Sequence, residues 1–304
     1  MTDLKSNAKD PLIPNQIISL TDPEKRRELM SKDIVPGQVW LAEASSASEF
    51  VLVIAKTEDP RTMTVVPLSN NVKEQTERSL VIQETPLGSP MIAWPQLEAT
   101  IPIRLLRIPL GDMPADIVNA IKSDETNSAL GISRGAVPRY STGLENRHLL
   151  TRALRFIQWQ KACEHLPQLG QSKQLEYKTD DNASDYMDAL MDVLGLTPAE
   201  CIEISRGGRQ LTEKQQKLME KAGYSTPIHH DEAIPDAYLI MAEQPRWNYV
   251  VNKFDTVPES EVRMRLARTA AFELAARPDG VGSDALEALF RKAASNMLEE
   301  ENSK

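Results

Sequence analysis

Short runs of β-branched and apolar residues, separated by Pro, Gly, Asn and Ser, dominate the chain from Val35 to about Ile108. The runs are GQVWLAEA, EFVLVIAKT, TMTVVPLS, SLVIQE, PMIAWPQLEATIPI and RLLRI. Runs this short and this regularly spaced are typical of strands in a small barrel or a strongly curved sheet. A helix is predicted to follow at MPADIVNAIKS, where Pro114 suits the first turn and the apolar positions share one face.

The second half of the chain has helical periodicity instead. The segment LENRHLLTRALRFIQWQKACEHLPQL predicts a helix with these buried positions: Leu149, Leu150, Ala153, Leu154, Ile157 and Ala162. The polar segments on either side, DETNSALGISRGAVPRYSTG and GQSKQLEYKTDDNAS, are interpreted as linkers. Longer helices are predicted near 259–276 and 283–300. Their alanine-rich faces, with Val262, Leu266, Ala270 and Leu274 on the first, suit helix–helix contact and dimerisation.

Between these helices, the segment VLGLTPAECIEISRGGRQLTEKQQKLMEKAG predicts helix, tight turn, helix, glycine stop and helix. Gly195 suits the left-handed position that ends a helix. Thr197 with Glu200, and Thr212 with Gln215, have the spacing of capping boxes at the next two helix starts. This order of elements is typical of a DNA-binding helix-turn-helix.

Composition and charge narrow the classes of function. The 304 residues carry a formal charge of −9, which disfavours bulk non-specific nucleic-acid binding but allows a local basic face. The two cysteines, Cys163 and Cys201, lie far apart, so we expect no disulfide framework and a reducing, cytoplasmic location. The N-terminal residues lack the apolar region of a secretion signal, and no apolar run is long enough to predict a membrane helix.

Cofactor and metal motifs are not found in the sequence. There is no GxGxxG, Walker A loop or HExxH. The donors His229, His230, Asp231 and Glu232 are consecutive and precede a proline, so we interpret them as a surface loop and predict no metal site. No cofactor is expected.

The N-terminal runs resemble the MazF/PemK family of SH3-like barrel ribonucleases, over roughly Val35 to Ile121. The shared features are the strand from Gly37 to Trp40, the apolar VLVIA strand, and the strand ending in Pro67, Leu68 and Ser69. The resemblance implies an arginine before the second strand, where this chain has Glu49 or Phe50, and a threonine where it has Ser69. A carboxylate at the arginine position would repel phosphate. We therefore expect an inactive barrel, with Ser69 as the only catalytic candidate.

The segment from Val193 to Gly223 is similar to the XRE/Cro/HigA helix-turn-helix pattern, on the checkpoints LGLTPAE, RGGRQLT and LMEKAG. The resemblance implies that the helix after Thr197 presents its first residues to base edges. The candidate DNA contacts are Thr197, Glu200, Arg206, Arg209 and Lys214. The basic helix offers further candidates for nucleic-acid contact at Arg147, Arg152 and Arg155, although interleaved Phe156 and Trp159 also suit a core.

The resemblances and patterns together predict an α+β protein of two domains, a small SH3-like β-barrel followed by an all-α helix-turn-helix domain and C-terminal helices. The predicted boundaries are a flexible tail at 1–20, the barrel with flanking helices at 21–125, a linker and basic helix at 126–180, the helix-turn-helix at 181–230, and a C-terminal helical region at 231–304.

The expected function is that of a prokaryotic DNA-binding transcriptional regulator of toxin–antitoxin or mobile-element type. It would bind DNA of its own promoter region as a homodimer, with the barrel binding a protein partner or effector. One alternative is a metal-independent endoribonuclease with a fused regulatory helix-turn-helix, for which RNA is the substrate. Another is a non-catalytic interaction subunit of a larger complex.

Overall fold

The computed structural model describes residues 23–44, 47–136, 144–170, 182–205, 211–224, 234–254, 256–275 and 283–302. The chain divides into two compact units. The N-terminal unit contains Met1–Leu166 and Glu243–Asn248, and the C-terminal unit contains Pro167–Ala242 and Tyr249–Lys304. Within the N-terminal unit, the returning segment is held by an ion pair of 3.5 Å from Arg104 to Glu243 and by a 3.2 Å hydrogen bond from Asn248 to the carbonyl of Leu106.

An eight-stranded antiparallel sheet forms the centre of the N-terminal unit. Its strands are β1 (Gln38–Ala44), β2 (Ala47–Lys56), β3 (Thr62–Ser69), β4 (Leu80–Ile82), β5 (Met91–Ala93), β6 (Ala99–Pro102), β7 (Leu106–Asp112) and β8 (Ile132–Arg134). Each predicted apolar run supplies at least one strand, and the long run PMIAWPQLEATIPI supplies both β5 and β6. The α+β class predicted from the sequence is confirmed.

The strand order is β7-β1-β2-β3-β5-β4-β8, with β6 paired to β3 beside this path. The first half of β3 pairs with β6 (Val65 opposite Ala99), and its end pairs with β5 (Leu68 opposite Ala93). The described residues contain no pairing between the end strands β7 and β8, so the sheet is open there and not a closed barrel.

Successive side chains of β1, β2 and β3 point to opposite faces of the sheet. Apolar residues of both faces are buried. Val39, Leu52 and Val66 pack on one face with the helix that follows β7. Trp40 and Val51 pack on the other face with Phe156 and Trp159. The strands therefore contain nearly continuous apolar runs, as expected for strands covered on two sides.

Part of the segment predicted to be a linker at 124–143 forms the edge strand β8. Ile132 is buried and lies opposite Ile82 of β4. Asn127 accepts hydrogen bonds from the backbone of Ala129 and Leu130, and Gly131 follows in the left-handed conformation with φ of 66°. The polar composition predicted a linker, but one apolar residue and a tight turn suffice when an open strand edge is available.

Three α-helices flank the sheet: α1 (Pro23–Ser31), α2 (Ala115–Lys122) and α3 (Leu144–Lys161). Helix α2 begins immediately after Pro114 and buries Ile117, Val118 and Ile121 as predicted. Short 3₁₀ turns lie at Val72–Glu74, Pro95–Leu97, Ile103–Leu105, Ser128–Leu130, Ala162–His165 and Pro245–Trp247.

Helix α3 forms as predicted, but the prediction of burial is wrong for three of its apolar residues. Leu150, Leu154 and Ile157 are 60%, 53% and 51% exposed. The buried residues are Arg152, Phe156 and Trp159. The helix has two apolar faces, and the aromatic one packs on the sheet because its rings bury more area.

In the C-terminal unit, α4 (Asn182–Leu194), α5 (Pro198–Ser205) and α6 (Glu213–Lys221) share one small core. Its buried residues are Tyr186, Ala189, Leu190, Cys201, Ile204, Leu211 and Met219. Gly195 adopts the predicted left-handed conformation, with φ of 66°, between α4 and α5.

The remaining helices are α7 (Asp236–Ala242), α8 (Asn248–Val251), α9 (Glu259–Ala275) and α10 (Ser283–Asn302). Helix α9 packs against α10 and α7, and this packing buries Val262, Leu266 and Ala270. The face predicted to serve dimerisation is thus covered within the chain at these three positions. In the described part of the chain, every helix is too short or too polar to cross a membrane.

Candidate functional site

Two buried carboxylates lie on the sheet of the N-terminal unit. Glu49 is in β2 opposite Ala42 of β1, and Glu74 is in the 3₁₀ turn that follows β3. Their side chains are only 8% and 14% exposed. A buried carboxylate is costly unless it is paired with a cation or well hydrogen-bonded, so each requires a partner.

Helix α3 supplies both partners. Arg152 donates from Nε to Glu49 and from Nη2 to Glu74, each at 2.9 Å. Arg155 donates from Nη1 to the other oxygen of Glu49. The guanidinium of Arg152 also lies 4.2 Å from the ring centre of Trp94, in cation–π geometry. Four charged groups from three distant segments of the chain therefore form one largely buried ionic cluster, Glu49–Glu74–Arg152–Arg155.

Ser69, the catalytic candidate from the sequence, belongs to the same network. Its hydroxyl donates to Glu74 at 2.9 Å and accepts from the backbone N–H of Asn71 at 3.1 Å. Glu74 also accepts from Nδ2 of Asn71 at 3.2 Å. Ser69 is buried and hydrogen-bonded to a carboxylate that it helps to orient, so this geometry fits a positioning residue better than a nucleophile.

The electrostatics of Glu74 follow from these contacts. Burial alone raises the pKa of its carboxyl, but the charge of Arg152 and the hydrogen bonds from Arg152, Ser69 and Asn71 lower it further than burial raises it. The net effect is a pKa below the ordinary value of 4.5, so Glu74 is ionised at neutral pH. By contrast, burial raises the pKa of the Cys163 thiol to about 11, which makes it a poor nucleophile.

A cavity of about 320 Å³ opens beside the ionic cluster. Helix α3 lines it with His148, Thr151, Arg152 and Arg155, whose spacing places them on one helix face. The sheet lines it with Leu41, Ser48, Glu49, Phe50, Leu68, Ser69, Asn70, Asn71 and Glu74. Its size is that of a small-molecule or nucleotide site.

The cavity combines a carboxylate, an imidazole and guanidinium groups, which are the groups needed for acid–base chemistry at a phosphodiester. The two arginines neutralise the two carboxylates, so the cluster does not repel an anion as Glu49 alone would. This was not evident from the sequence, because the two arginines lie 103 and 106 residues from Glu49 along the chain. Among the described residues, no group of three or more His, Cys, Asp and Glu side chains is arranged to hold a metal.

The candidate DNA contacts belong to residues 197–214 of the C-terminal unit, away in sequence from the ionic cluster. Thr197 and Lys214 are exposed at the starts of α5 and α6. The carboxylate of Glu200 accepts from the backbone N–H and the hydroxyl of Thr197, both at 2.9 Å, so it caps α5. Arg206 and Arg209 lie outside the described residues.

Helix α6 carries a row of exposed lysines, of which only Lys214 was predicted to contact DNA. Lys214, Lys217 and Lys221 are all exposed, and their i, i+3, i+7 spacing places them on one face. On α3, Arg147 is exposed, whereas Arg152 and Arg155 are engaged with Glu49. Of the three α3 arginines proposed for nucleic-acid contact, two therefore belong to the ionic cluster.

When compared with known proteins, the chain matches no family model and no curated sequence.

Proposed function

We propose that the chain is a sequence-specific DNA-binding transcriptional regulator. The supporting observation is the small core of α4, α5 and α6, in which α5 has an exposed N-terminus and α6 presents the row Lys214, Lys217 and Lys221. The arrangement fits a helix-turn-helix whose α5 enters the major groove while the lysines contact phosphates. The cap between Thr197 and Glu200 holds the first turn of α5 in place.

The fold proposal accompanies the functional one. We propose that α4–α6 is an XRE-like helix-turn-helix, and that the open sheet is a variant of the SH3-like barrel of the MazF/PemK family. In this variant the groove that would receive RNA is lined by α3. A toxin–antitoxin or mobile-element setting follows from these two resemblances.

A gel-shift experiment tests DNA binding, using DNA from upstream of the protein's own gene at about 50 and 200 mM salt. We expect a specific shift that weakens with salt and is lost in Arg206→Ala/Arg209→Ala. Lys214→Ala/Lys217→Ala should weaken binding to all sequences alike and reduce the salt slope by about two. The matched control is Lys56→Ala/Lys122→Ala, which removes two exposed lysines of the N-terminal unit. No shift at micromolar protein, or equal effects of the two lysine pairs, would refute the proposal.

The cavity favours a second candidate function, metal-independent cleavage of RNA. In this reaction the ribose 2′-oxygen attacks the adjacent phosphorus, and its proton passes to Glu49. The bond from phosphorus to the 5′-oxygen breaks, and that oxygen receives a proton from His148. Arg152 and Arg155 offset the negative charge that develops on the phosphorane. The observation in its favour is that α3 supplies cations beside Glu49 and Ser69, where the sequence alone indicated only a carboxylate.

Cleavage of a labelled single-stranded RNA in the presence of EDTA tests this candidate. His148→Ala is the informative variant, because His148 is exposed on α3 and its loss leaves the buried cluster intact. Arg147→Ala is the matched control, an exposed residue of the same helix that does not line the cavity. If the protein cleaves RNA in this way, wild type and Arg147→Ala should cut the labelled RNA and His148→Ala should not. Intact RNA, or equal activity of the two variants, would eliminate it.

A further inference from the structure

The cavity beside the ionic cluster is lined by hydrogen-bond donors that the described residues do not use. On α3, His148, Thr151 and Arg155 line it at i, i+3 and i+7, so they share one helix face. Within the described part of the chain, the His148 imidazole and the Thr151 hydroxyl make no hydrogen bond. Arg155 donates to Glu49 from Nη1, which leaves most of the N–H groups of its guanidinium available. This wall of the cavity therefore suits a ligand with oxygen acceptors.

Arg152 gives an independent indication of such a ligand. It lines the cavity and is only 8% exposed. Its Nε and Nη2 donate to carboxylates, but its Nη1 has no hydrogen-bond partner among the described residues. Leaving a buried donor unpaired is unfavourable, so buried donors in native proteins are usually satisfied by protein, water or an ion. A buried residue of this cavity thus has a donor available for a ligand oxygen.

The apolar lining residues offer little surface to a ligand. Leu41, Phe50 and Leu68 line the cavity but are only 1%, 8% and 0% exposed. The other lining residues present hydroxyl, amide, imidazole, guanidinium or carboxylate groups. A small oxyanion matches this lining, because several of its oxygens can accept hydrogen bonds at once without needing an apolar contact.

The carboxylate of Glu49 decides which oxyanion fits. It accepts from Arg152 and Arg155, which uses two of the about four lone-pair sites of a carboxylate. A fully ionised oxyanion would be repelled by the remaining lone pairs, whereas a phosphate that carries a proton can donate its P–OH to them. Inorganic phosphate carries a proton at neutral pH, and a phosphate monoester does so below its second pKa of about 6. Sulfate and phosphodiesters carry no such proton.

We propose that this cavity binds a phosphate group that carries a proton, either as inorganic phosphate or as a small phosphate monoester. Its oxygens accept hydrogen bonds from His148, Thr151 and Arg155, and its P–OH donates to Glu49. The proposal requires neither DNA binding nor cleavage of RNA. Because the ligand is small and Arg155 is shared with Glu49, we expect a dissociation constant on the order of 1 mM.

Phosphorus NMR measures this binding directly, as broadening of the probe resonance when the full-length protein is added at about pH 6. The probes are inorganic phosphate, glycerol phosphate and dimethyl phosphate, each at about 2 mM, with sulfate as a competitor. We expect broadening for inorganic phosphate or glycerol phosphate, none for dimethyl phosphate, and no displacement by equimolar sulfate. A stronger effect on glycerol phosphate would identify a monoester as the ligand, and a stronger effect on inorganic phosphate would identify the free ion. If neither resonance broadens, or if dimethyl phosphate or sulfate binds equally well, the proposal is wrong.

Substitutions on α3 then test the position of the phosphate group. Thr151→Val and His148→Ala change exposed residues and leave the buried ion pairs in place. Each should weaken phosphate binding roughly tenfold, because each removes a hydrogen bond to an anion. Arg147→Ala is the matched control, since Arg147 is exposed on the same helix and does not line the cavity, and it should leave binding unchanged. Equal binding by all three variants would overturn the proposal. Because the assay contains no nucleic acid, its outcome is separate from those of the gel shift and the RNA cleavage.

Discussion

Replacing Arg152 with methionine is the sharpest test of the ionic cluster. Methionine keeps most of the length of the side chain but removes the charge and the hydrogen bonds. Glu49 then retains only Arg155, and Glu74 keeps hydrogen bonds from Ser69 and Asn71 but no cation. Both carboxylates stay largely buried.

The magnitude follows from the two hydrogen bonds of 2.9 Å that Arg152 donates to carboxylates. Each such bond contributes about 1.5–3 kcal/mol. Breaking a buried ion pair by removing one partner costs about 3–5 kcal/mol. We therefore expect Arg152→Met to lower the free energy of unfolding of the N-terminal unit by about 4 kcal/mol.

Urea unfolding followed by tryptophan fluorescence isolates this unit. All four tryptophans of the chain, Trp40, Trp94, Trp159 and Trp247, are buried in the N-terminal unit. Arg147→Met is the control on the same helix, at an exposed position, and should change the free energy of unfolding by less than about 0.5 kcal/mol. A loss below about 1 kcal/mol for Arg152→Met would refute the argument, because it would mean that the carboxylates do not need this cation.

Three further predictions test the titration, the edge strand and the capping box. The pKa of Glu74 in the folded protein lies below its ordinary value of 4.5, so the ionised form of Glu74 stabilises the fold above that pH. At pH 7 the urea midpoint of wild type should therefore exceed that of Glu74→Gln. The difference between the two midpoints should shrink as the pH falls through 4.5 and below. Gly135→Ala places a Cβ 2.4 Å from the carbonyl oxygen of Thr76, so the fluorescence transition should lose about 1–3 kcal/mol. Ser133→Ala, at an exposed position of β8, should change it by less than about 0.5 kcal/mol. Thr212→Ala removes the N-cap of α6 and should lower the stability of this helix by about 1 kcal/mol, measured by hydrogen exchange of the α6 amides. Thr212→Ser keeps the hydroxyl and should lower it by less than half of that.

The sequence by itself determined the features that depend on neighbouring residues. The capping boxes of Thr197 with Glu200 and Thr212 with Gln215 form as predicted, because each needs only residues three positions apart. The left-handed Gly195 follows from the same local chemistry. The strands β1 to β7 were recognisable from short apolar runs separated by Pro, Gly, Asn and Ser, and α2 from its helical periodicity, because both signals lie within single elements.

The tertiary structure alone decided which faces are buried and which charges meet. Helix α3 has an aliphatic face and an aromatic face, and periodicity cannot say which one the sheet covers. Glu49 and Arg152 are 103 residues apart, and no local pattern links them. The segment around Ile132 becomes a strand only because β4 offers an open edge. Each of these outcomes depends on surfaces that exist only after the chain has folded, because burial and ion pairing are energies between elements and not properties of one segment.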